Sequence, residues 1–172
     1  MESKIRDLRQ EIFKFEQLSN FDKNDFFVSE CNYFAFNLIK SWPNWEKKIL
    51  NVYGERKSGK SHLSEIFLEN KNSIKFEFKE MNEKIFDKIK GYQKIVIEDF
   101  NERCNEETTY SLIDMVEKEN KYLLITSVRA ANEMETRLKD LNSRFKNILT
   151  AKINKPDDEL IYALIVKNFS DS

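Results

Sequence analysis

Residues 54–61 read GERKSGKS and fit the pattern GxxxxGK[ST] at every fixed position. Glycine lets a backbone approach phosphate oxygens closely, and a helix N-terminus after the turn supplies further amide donors. The alternative is an ordinary glycine turn before a helix. We expect a phosphate loop, with Lys60 at the terminal phosphates and Ser61 on Mg²⁺. The residues expected at the nucleotide are Gly54, Glu55, Arg56, Lys57, Ser58, Gly59, Lys60, Ser61 and His62. For His62, the only histidine, packing beside the loop is favoured over catalysis.

A pair of acidic residues ends the apolar run KIVIEDF. Ligands of open α/β sheets bind at the carboxyl ends of the strands, and a phosphate-loop enzyme needs a carboxylate there. We therefore expect Glu98 in the Mg²⁺ shell and Asp99 orienting a water, although either acid could hold the metal. A charged strand exit without chemistry is the alternative.

Two further polar groups follow in the chain. The run YLLITSV ends in Thr126 and Ser127, and we expect the Ser127 hydroxyl to sense the terminal phosphate, unless it only forms a turn. Arg137 and Arg144 are seven positions apart and would share a helical face if one helix persists. Arg144 is either a solvated charge or an arginine finger for a nucleotide on a neighbouring subunit.

The elements that must position these groups alternate along the chain. Short runs rich in β-branched and aromatic residues predict buried strands, and the segments between them predict helices. This alternation indicates an α/β three-layer sandwich with a mostly parallel sheet. The predicted strands are 48–54, 73–78, 94–100, 122–128 and 148–153. The predicted helices are 31–41, 61–70, 82–92, 106–120, 132–145 and 157–169.

Composition limits the class of protein. A chain of 172 residues, 40% hydrophobic and 34% charged, is typical of one soluble domain. No apolar window approaches a membrane span, and no apolar core follows the N-terminal charges, so we expect a cytoplasmic protein. The net charge of −1 gives no general attraction to DNA or membrane. Cys31 and Cys104 are expected to be free thiols.

The order of seven segments resembles the Hda family, the DnaA-related AAA+ regulators of replication initiation, in their alphaproteobacterial form. The segments are DFFVSECN, WPNW, GERKSGKSHL, VIEDF, LLITS, LNSRF and INKPDDEL. The resemblance runs from about residue 10 to about residue 169 and implies an AAA+ core with a five-stranded sheet. It implies that Phe26, Val28 and Asn32 lie at the adenine of bound ADP or ATP, and that Arg144 is the arginine finger.

Hda proteins also carry a short N-terminal peptide that binds the sliding clamp. QEIFKF places Gln10, Phe13 and Phe15 at the family's spacing, which implies a clamp-binding peptide and linker at 1–24 and an AAA+ core at 25–172. The alternative is an amphipathic helix, because apolar residues also recur at helical spacing. These residues are Ile5, Leu8, Ile12 and Phe15.

The resemblance implies negative regulation of replication initiation, in which hydrolysis of DnaA-bound ATP is promoted together with the DNA polymerase III sliding clamp. The expected partners are DnaA and the clamp, with a homo-oligomer as a further option and DNA contacted only indirectly. Two departures stand out. Ser29 stands where the family usually has glycine, which leaves the backbone at the adenine less free. The sequence stops where the family continues into a C-terminal helical lid, so it is either a fragment or a naturally lidless form, and without the lid we expect weak intrinsic ATPase activity. A nucleotide-dependent adaptor for another replication protein is the alternative, and a stand-alone ATPase is a third.

Overall fold

The fold is built on a five-stranded sheet. A computed structural model describes residues 26–69 and 72–170. The strands are β1 Ile49–Tyr53, β2 Ser73–Glu77, β3 Lys94–Phe100, β4 Tyr122–Ser127 and β5 Leu149–Lys152. Every pairing is parallel, in the order β2-β3-β4-β1-β5. β4 therefore lies between the strand that precedes the phosphate loop and the strand that ends in the acidic pair.

Helices connect the strands and cover both faces of the sheet. They are α1 Tyr33–Lys40, α2 Lys60–Leu68, α3 Ile85–Ile89, α4 Glu106–Lys118, α5 Lys139–Lys146 and α6 Asp158–Ser170. Short 3₁₀ turns occupy Phe78–Glu80 and Ala131–Glu133. In the described part of the chain, α6 is the helix that follows β5, and no helical subdomain comes after it. The predicted α/β sandwich is confirmed.

Each face of the sheet has its own apolar core. Successive side chains of a strand point to opposite faces, so Ile95 and Ile97 of β3 enter one core while Val96 enters the other. The first core is closed by α3, α4 and α5, and the second by α1 and α2. Both faces of β3 and β4 are therefore covered by helices, which explains why the apolar residues in these strands are consecutive and do not alternate with polar ones.

The helix predicted over 132–145 is wrong in its first half. The helix starts only at Lys139, so Arg137 lies outside it and does not share a helical face with Arg144. The Glu106 carboxylate, in the first turn of α4, accepts the backbone amides of Arg137 at 2.9 Å and Leu138 at 2.8 Å. These bonds hold the chain in a non-helical path, because they satisfy amides that a helix would otherwise pair.

Two buried lysines near the starts of strands donate hydrogen bonds to backbone carbonyls at or beyond the ends of helices. The ammonium of Lys94, at the start of β3, donates to the carbonyl of Phe67 near the end of α2. Lys121, just before β4, donates to the carbonyls of Lys90 at 2.9 Å and Tyr92 at 2.8 Å, beyond the end of α3. Cations suit these positions because helix C-terminal carbonyls lack intrahelical donors and carry partial negative charge.

The beginning of the described chain is tied to the start of α6. The Asp157 carboxylate accepts the Leu160 amide at 2.8 Å, as an N-cap does, and the Cys31 amide at 3.1 Å. The Asn154 amide also donates to the Cys31 carbonyl at 2.9 Å. Segment 26–32 therefore lies against the connection between β5 and α6.

Helix α6 carries a broad exposed apolar surface. Ala163 is buried, whereas Ile161, Leu164, Ile165 and Phe169 are between 45% and 79% exposed. These four side chains recur at helical spacing and form one face, which we call the α6 face. Across residues 26–69 and 72–170, no helix is both long and apolar enough to cross a membrane.

Candidate functional site

The loop between β1 and α2 has the backbone of a phosphate cradle. A Cβ on Gly54 would come within 2.7 Å of the Ile153 carbonyl oxygen, so only glycine fits there. Gly59 has a φ of 95° and Lys57 a φ of 62°, both in the left-handed region. Such turns aim successive amides into one concavity, and α2 begins immediately after Gly59 with its first amides unpaired within the helix.

Lys60 lies folded against its own loop. Its ammonium donates to the carbonyls of Gly54 at 2.9 Å and Glu55 at 2.6 Å, and lies 3.4 Å from the Ser58 hydroxyl. Burial lowers the pKa of Lys60, and the attraction of Asp99 opposes this effect. A bound phosphate offers this cation stronger acceptors than neutral carbonyls do.

An open cavity of about 910 Å³ lies in front of the loop. That volume is within the range typical of small-molecule sites. Three chain segments converge on it: the loop with the first turn of α2, the end of β3, and the residues after β4. The lining residues are Arg56, Lys57, Ser58, Gly59, Lys60, Ser61, His62, Asp99, Phe100, Asn101, Glu102, Val128, Arg129 and Met134.

The two acids at the end of β3 lie in different environments. The ladder with β4 is irregular between Ile97 and Phe100, and Asp99 has a φ of 57°. This bulge turns Asp99 into the cavity, while its amide donates to the Thr126 hydroxyl at 3.2 Å. A non-glycine residue in the left-handed region is strained, and such strain is frequent at functional sites.

Glu98 is more buried and does not line the cavity described above. Its side chain is 12% exposed, with Oε2 3.8 Å from the Lys75 ammonium. Its Oε1 atom is buried without a hydrogen-bond partner among the described residues. A buried carboxylate oxygen without a partner is costly and suits a cation.

The oxygen atoms of Ser61, Glu98 and Asp99 suit Mg²⁺, which proteins hold with one or two carboxylates together with substrate phosphates and water. The described residues contain no cluster of three or more His, Cys, Asp or Glu that would form an all-protein metal cage. Ser61, at the start of α2, and the acids after the apolar part of β3 are oxygen donors of the required kind.

Ser127 is committed to a buried polar network. Its hydroxyl accepts the Asn51 side-chain amide at 2.8 Å and donates to the Arg129 carbonyl at 2.6 Å. Asn51 also donates to the Ile125 carbonyl at 3.1 Å and accepts the Ala131 amide at 2.8 Å. The network fixes the path of the chain after β4, where Arg129 reaches the cavity.

Arg144 is held within its own chain. It forms ion pairs with Asp114, at 3.3 Å, and with Glu117 of α4, and its guanidinium lies 5.5 Å from the centre of the Tyr110 ring. The side chain is 29% exposed and lies outside the described cavity lining. Its partners Tyr110, Asp114 and Glu117 recur at helical spacing on one face of α4.

The residues expected at the adenine lie at the beginning of the described chain, and Phe26 lies beside the phosphate loop. Phe26 is buried, with its ring stacked on Phe36 at 5.7 Å and edge-on to His62 at 5.1 Å. Asn32 is buried, and its side chain bonds the Ser29 amide and the Phe27 carbonyl, both at 3.0 Å. Val28 packs beside the same core. A Cβ on Gly59 would meet the Phe26 ring at 3.4 Å, so Phe26 lies against the loop, and its partner His62 lines the cavity. Gln10, Phe13 and Phe15 lie outside the described residues.

Several residues that the structure brings to the site were not expected from the sequence, and three of them are polar groups with a clear position. Asn101 and Arg129 line the cavity, and Asn51 holds the chain after β4. One signal was available: Asn51 is polar within the apolar run ILNVY, and a polar group in a buried strand needs hydrogen-bond partners. For Arg129 the signal was its position directly after the strand between the two motifs.

Comparison with known proteins establishes the fold. No family model matches the sequence, and no curated protein matches it. Among solved structures, DnaA from Aquifex aeolicus with AMPPCP bound matches with a TM-score of 0.69 at 16% identity. The match covers 89% of this chain and 56% of that one, so the chain spans just over half of that DnaA structure.

Two further structures agree. Domain III of the Thermotoga maritima replication initiation protein DnaA gives a TM-score of 0.68 at 19% identity, covering 89% of this chain and 75% of that one. DnaI gives 0.56 at 18% identity, covering 81% and 88%. The fold of this chain is therefore like that of DnaA domain III.

Proposed function

We propose that this chain binds an adenine nucleotide, ADP or ATP, at the loop between β1 and α2. The observation that carries the proposal is the convergence of Lys60, the strained Asp99 and the loop amides on one cavity. On binding, the Lys60 ammonium exchanges loop carbonyls for phosphate oxygens, and the loop amides donate to them. Mg²⁺, held by Ser61 and an acid at the end of β3, would neutralise phosphate charge when bound.

The surroundings of the two acids support the division of roles expected from the sequence. Asp99 lies in the cavity and within electrostatic reach of Lys60, so it suits the role of orienting water or a metal-bound water. Glu98 has the buried oxygen without a partner, which suits direct metal ligation. Ser127 would act only indirectly, by holding Arg129 at the cavity edge.

We further propose a regulatory role of the Hda type: with the sliding clamp, the chain promotes hydrolysis of ATP bound to DnaA. The order of its motifs and a fold shared with DnaA domain III support this role. Arg144 would stabilise charge on the phosphates of the neighbouring DnaA nucleotide in the transition state. To do so, its guanidinium must exchange Asp114 and Glu117 for those phosphates.

The experiment that tests this role measures hydrolysis of DnaA-bound ATP in the presence of clamp loaded on DNA. We expect Arg144→Ala to lose the stimulation, by about a hundredfold or more, with ADP binding unchanged. Arg137→Ala is the matched control, because Arg137 is exposed and outside the helix, and should stimulate normally. Normal stimulation by Arg144→Ala would refute the finger role.

A clamp-binding titration tests the N-terminal peptide separately. The double variant Gln10→Ala, Phe13→Ala should lose clamp binding, since aromatic anchors dominate such contacts. The variant Gln17→Ala, Phe21→Ala makes the same changes seven or eight positions later and should still bind. Equal binding by both variants and the unaltered chain would exclude QEIFKF as the anchor.

A nucleotide-dependent adaptor is the second candidate. It is favoured by the pairing of Arg144 within its own chain, because an arginine held by two carboxylates is not presented to a neighbour. This role predicts nucleotide-dependent binding to another replication protein and no effect on DnaA-bound ATP. Replacing Asp114 with Asn and Glu117 with Gln separates the two roles: the released Arg144 should raise stimulation if it is a finger.

A further inference from the structure

A chain of three charges connects α2, β2 and β3 on one side of the sheet. The Lys75 ammonium, on β2, forms an ion pair with Glu65 of α2 and lies 3.8 Å from Oε2 of Glu98. The Glu98 side chain is nearly enclosed, whereas Glu65 is 56% exposed. Lys75 is thus a cation beside the buried carboxylate, anchored from the outside by a second acid.

The same face of α2 leads to the nucleotide site. Glu65 follows Ser61 by four residues, and residues at this spacing are neighbours on a helix surface. Ser61 lines the cavity. Lys75 therefore lies beside Glu98, and its other partner, Glu65, is one helical turn from Ser61, whose hydroxyl is expected to hold Mg²⁺.

We propose that Lys75 is the counter-ion of Glu98 when no metal is bound, and that it sets how far Mg²⁺ strengthens nucleotide binding. The inference rests on the proposed nucleotide-binding function. An ammonium 3.8 Å from the carboxylate neutralises Glu98 and repels a divalent cation placed beside it. Mg²⁺ must therefore displace Lys75 or bind against its charge, and either cost reduces the gain that the metal brings.

The test compares ADP affinity in EDTA with ADP affinity in excess Mg²⁺, by calorimetry on the full chain. Lys75→Met removes the charge and keeps the apolar stem. In EDTA, we expect Lys75→Met to bind ADP within twofold of the affinity of the unaltered chain. The ratio of ADP affinity in Mg²⁺ to ADP affinity in EDTA should be about two- to fivefold higher in this variant. Glu65→Gln removes the outer anchor, so Lys75 pairs with Glu98 alone and the ratio should fall.

Lys79→Met is the matched control. Lys79 follows β2, and its ammonium pairs with the exposed Glu77 at 2.6 Å, so its charge is already committed at the surface. The ratio should not change in this variant. Circular dichroism and thermal melting establish that each variant is folded before it is titrated.

The outcomes separate the two levels of the proposal. An unchanged affinity ratio in both folded Lys75→Met and Glu65→Gln overturns the role of Lys75 and leaves nucleotide binding in place. If Lys75→Met does not fold, the Glu65→Gln ratio alone decides. Absence of ADP binding to the unaltered chain in both buffers overturns the proposed function, and with it this inference.

Discussion

Lys60 combines a buried position with a task that needs positive charge. Burial lowers its pKa below the ordinary 10.5, against the opposing attraction of Asp99. A neutral amine does not attract phosphate, so we expect ADP affinity to decline as the pH rises through this lowered pKa, earlier than for an exposed lysine. Calorimetric titrations at increasing alkaline pH measure the decline.

The control for this prediction is Lys60→Arg, whose guanidinium stays charged throughout that pH range. Its ADP affinity should lack the alkaline decline. In the same interval the unfolded chain binds more protons at Lys60 than the folded chain, so this residue's contribution to the free energy of unfolding rises with pH. As Lys60 loses its proton, ADP binding should therefore weaken while the contribution of Lys60 to the free energy of unfolding increases. Parallel curves for both proteins would contradict the prediction.

Asn51 is the residue whose loss should cost the most stability around the site. Asn51→Ala leaves the Ala131 amide without its acceptor and the Ser127 hydroxyl without its donor, at a fully buried position. Unpaired buried groups and the small cavity together should lower the free energy of unfolding by about 2–4 kcal/mol. Urea denaturation measures this, and the exposed Asn132→Ala should change it by less than about 0.5 kcal/mol.

At the scale of elements, Asp157 joins the beginning of the described chain to α6. Burial acts to raise its pKa, but hydrogen bonds from the Leu160 amide, the Ser29 hydroxyl and the Cys31 amide outweigh this effect, so the pKa is lowered. Asp157→Ala removes the N-cap and should cost about 1–2 kcal/mol of unfolding free energy at pH 7.

The pH dependence of this contribution has a definite sign. A carboxylate with a lowered folded pKa stabilises fully above its unfolded pKa, near 4, and loses this contribution as the pH falls through the lowered value. The difference in stability between Asp157→Ala and the unaltered chain should therefore shrink in acid. Asp158→Ala is the control, because Asp158 is exposed in the first turn and should have a small effect. A difference that is independent of pH would contradict the assignment.

Sequence periodicity predicted all five strands to within one residue at each end, because their runs of β-branched and aromatic residues are bounded by polar or turn residues. β1, β3 and β4 are mostly buried, whereas the edge strands β2 and β5 are partly exposed. Periodicity failed for residues 134–138, where Glu106, some thirty positions away, takes the amides that a helix would use. Local pattern contains no information on such a distant acceptor. The same limit applies to Ser127, whose role at the phosphate stays a prediction: its hydroxyl bonds Asn51 of the neighbouring strand, a partner that local pattern does not reveal.

At the scale of the whole molecule, the α6 face is an apolar surface whose side chains are 45% to 79% exposed. Because Ile161 and Ile165 are 45% and 48% exposed, replacing both with serine should change the free energy of unfolding by less than about 1 kcal/mol. The same change should reduce the binding of an apolar fluorescent dye. Ile153→Ser, at a buried position, is the contrast and should destabilise strongly. Unchanged dye binding would show that the dye reports another surface.

The hydrogen bonds around Cys31 also place a natural chemical reporter at the junction of segment 26–32 with α6. The Cys31 thiol is buried and lies 3.0 Å from the Ser29 hydroxyl, whereas Cys104 is partly exposed, with a pKa that burial raises. A thiol reagent can reach Cys31 only after the bonds to Asp157 and Asn154 open. The labelling rate of Cys31 in a Cys104→Ser background therefore measures how often this junction separates, without any added probe.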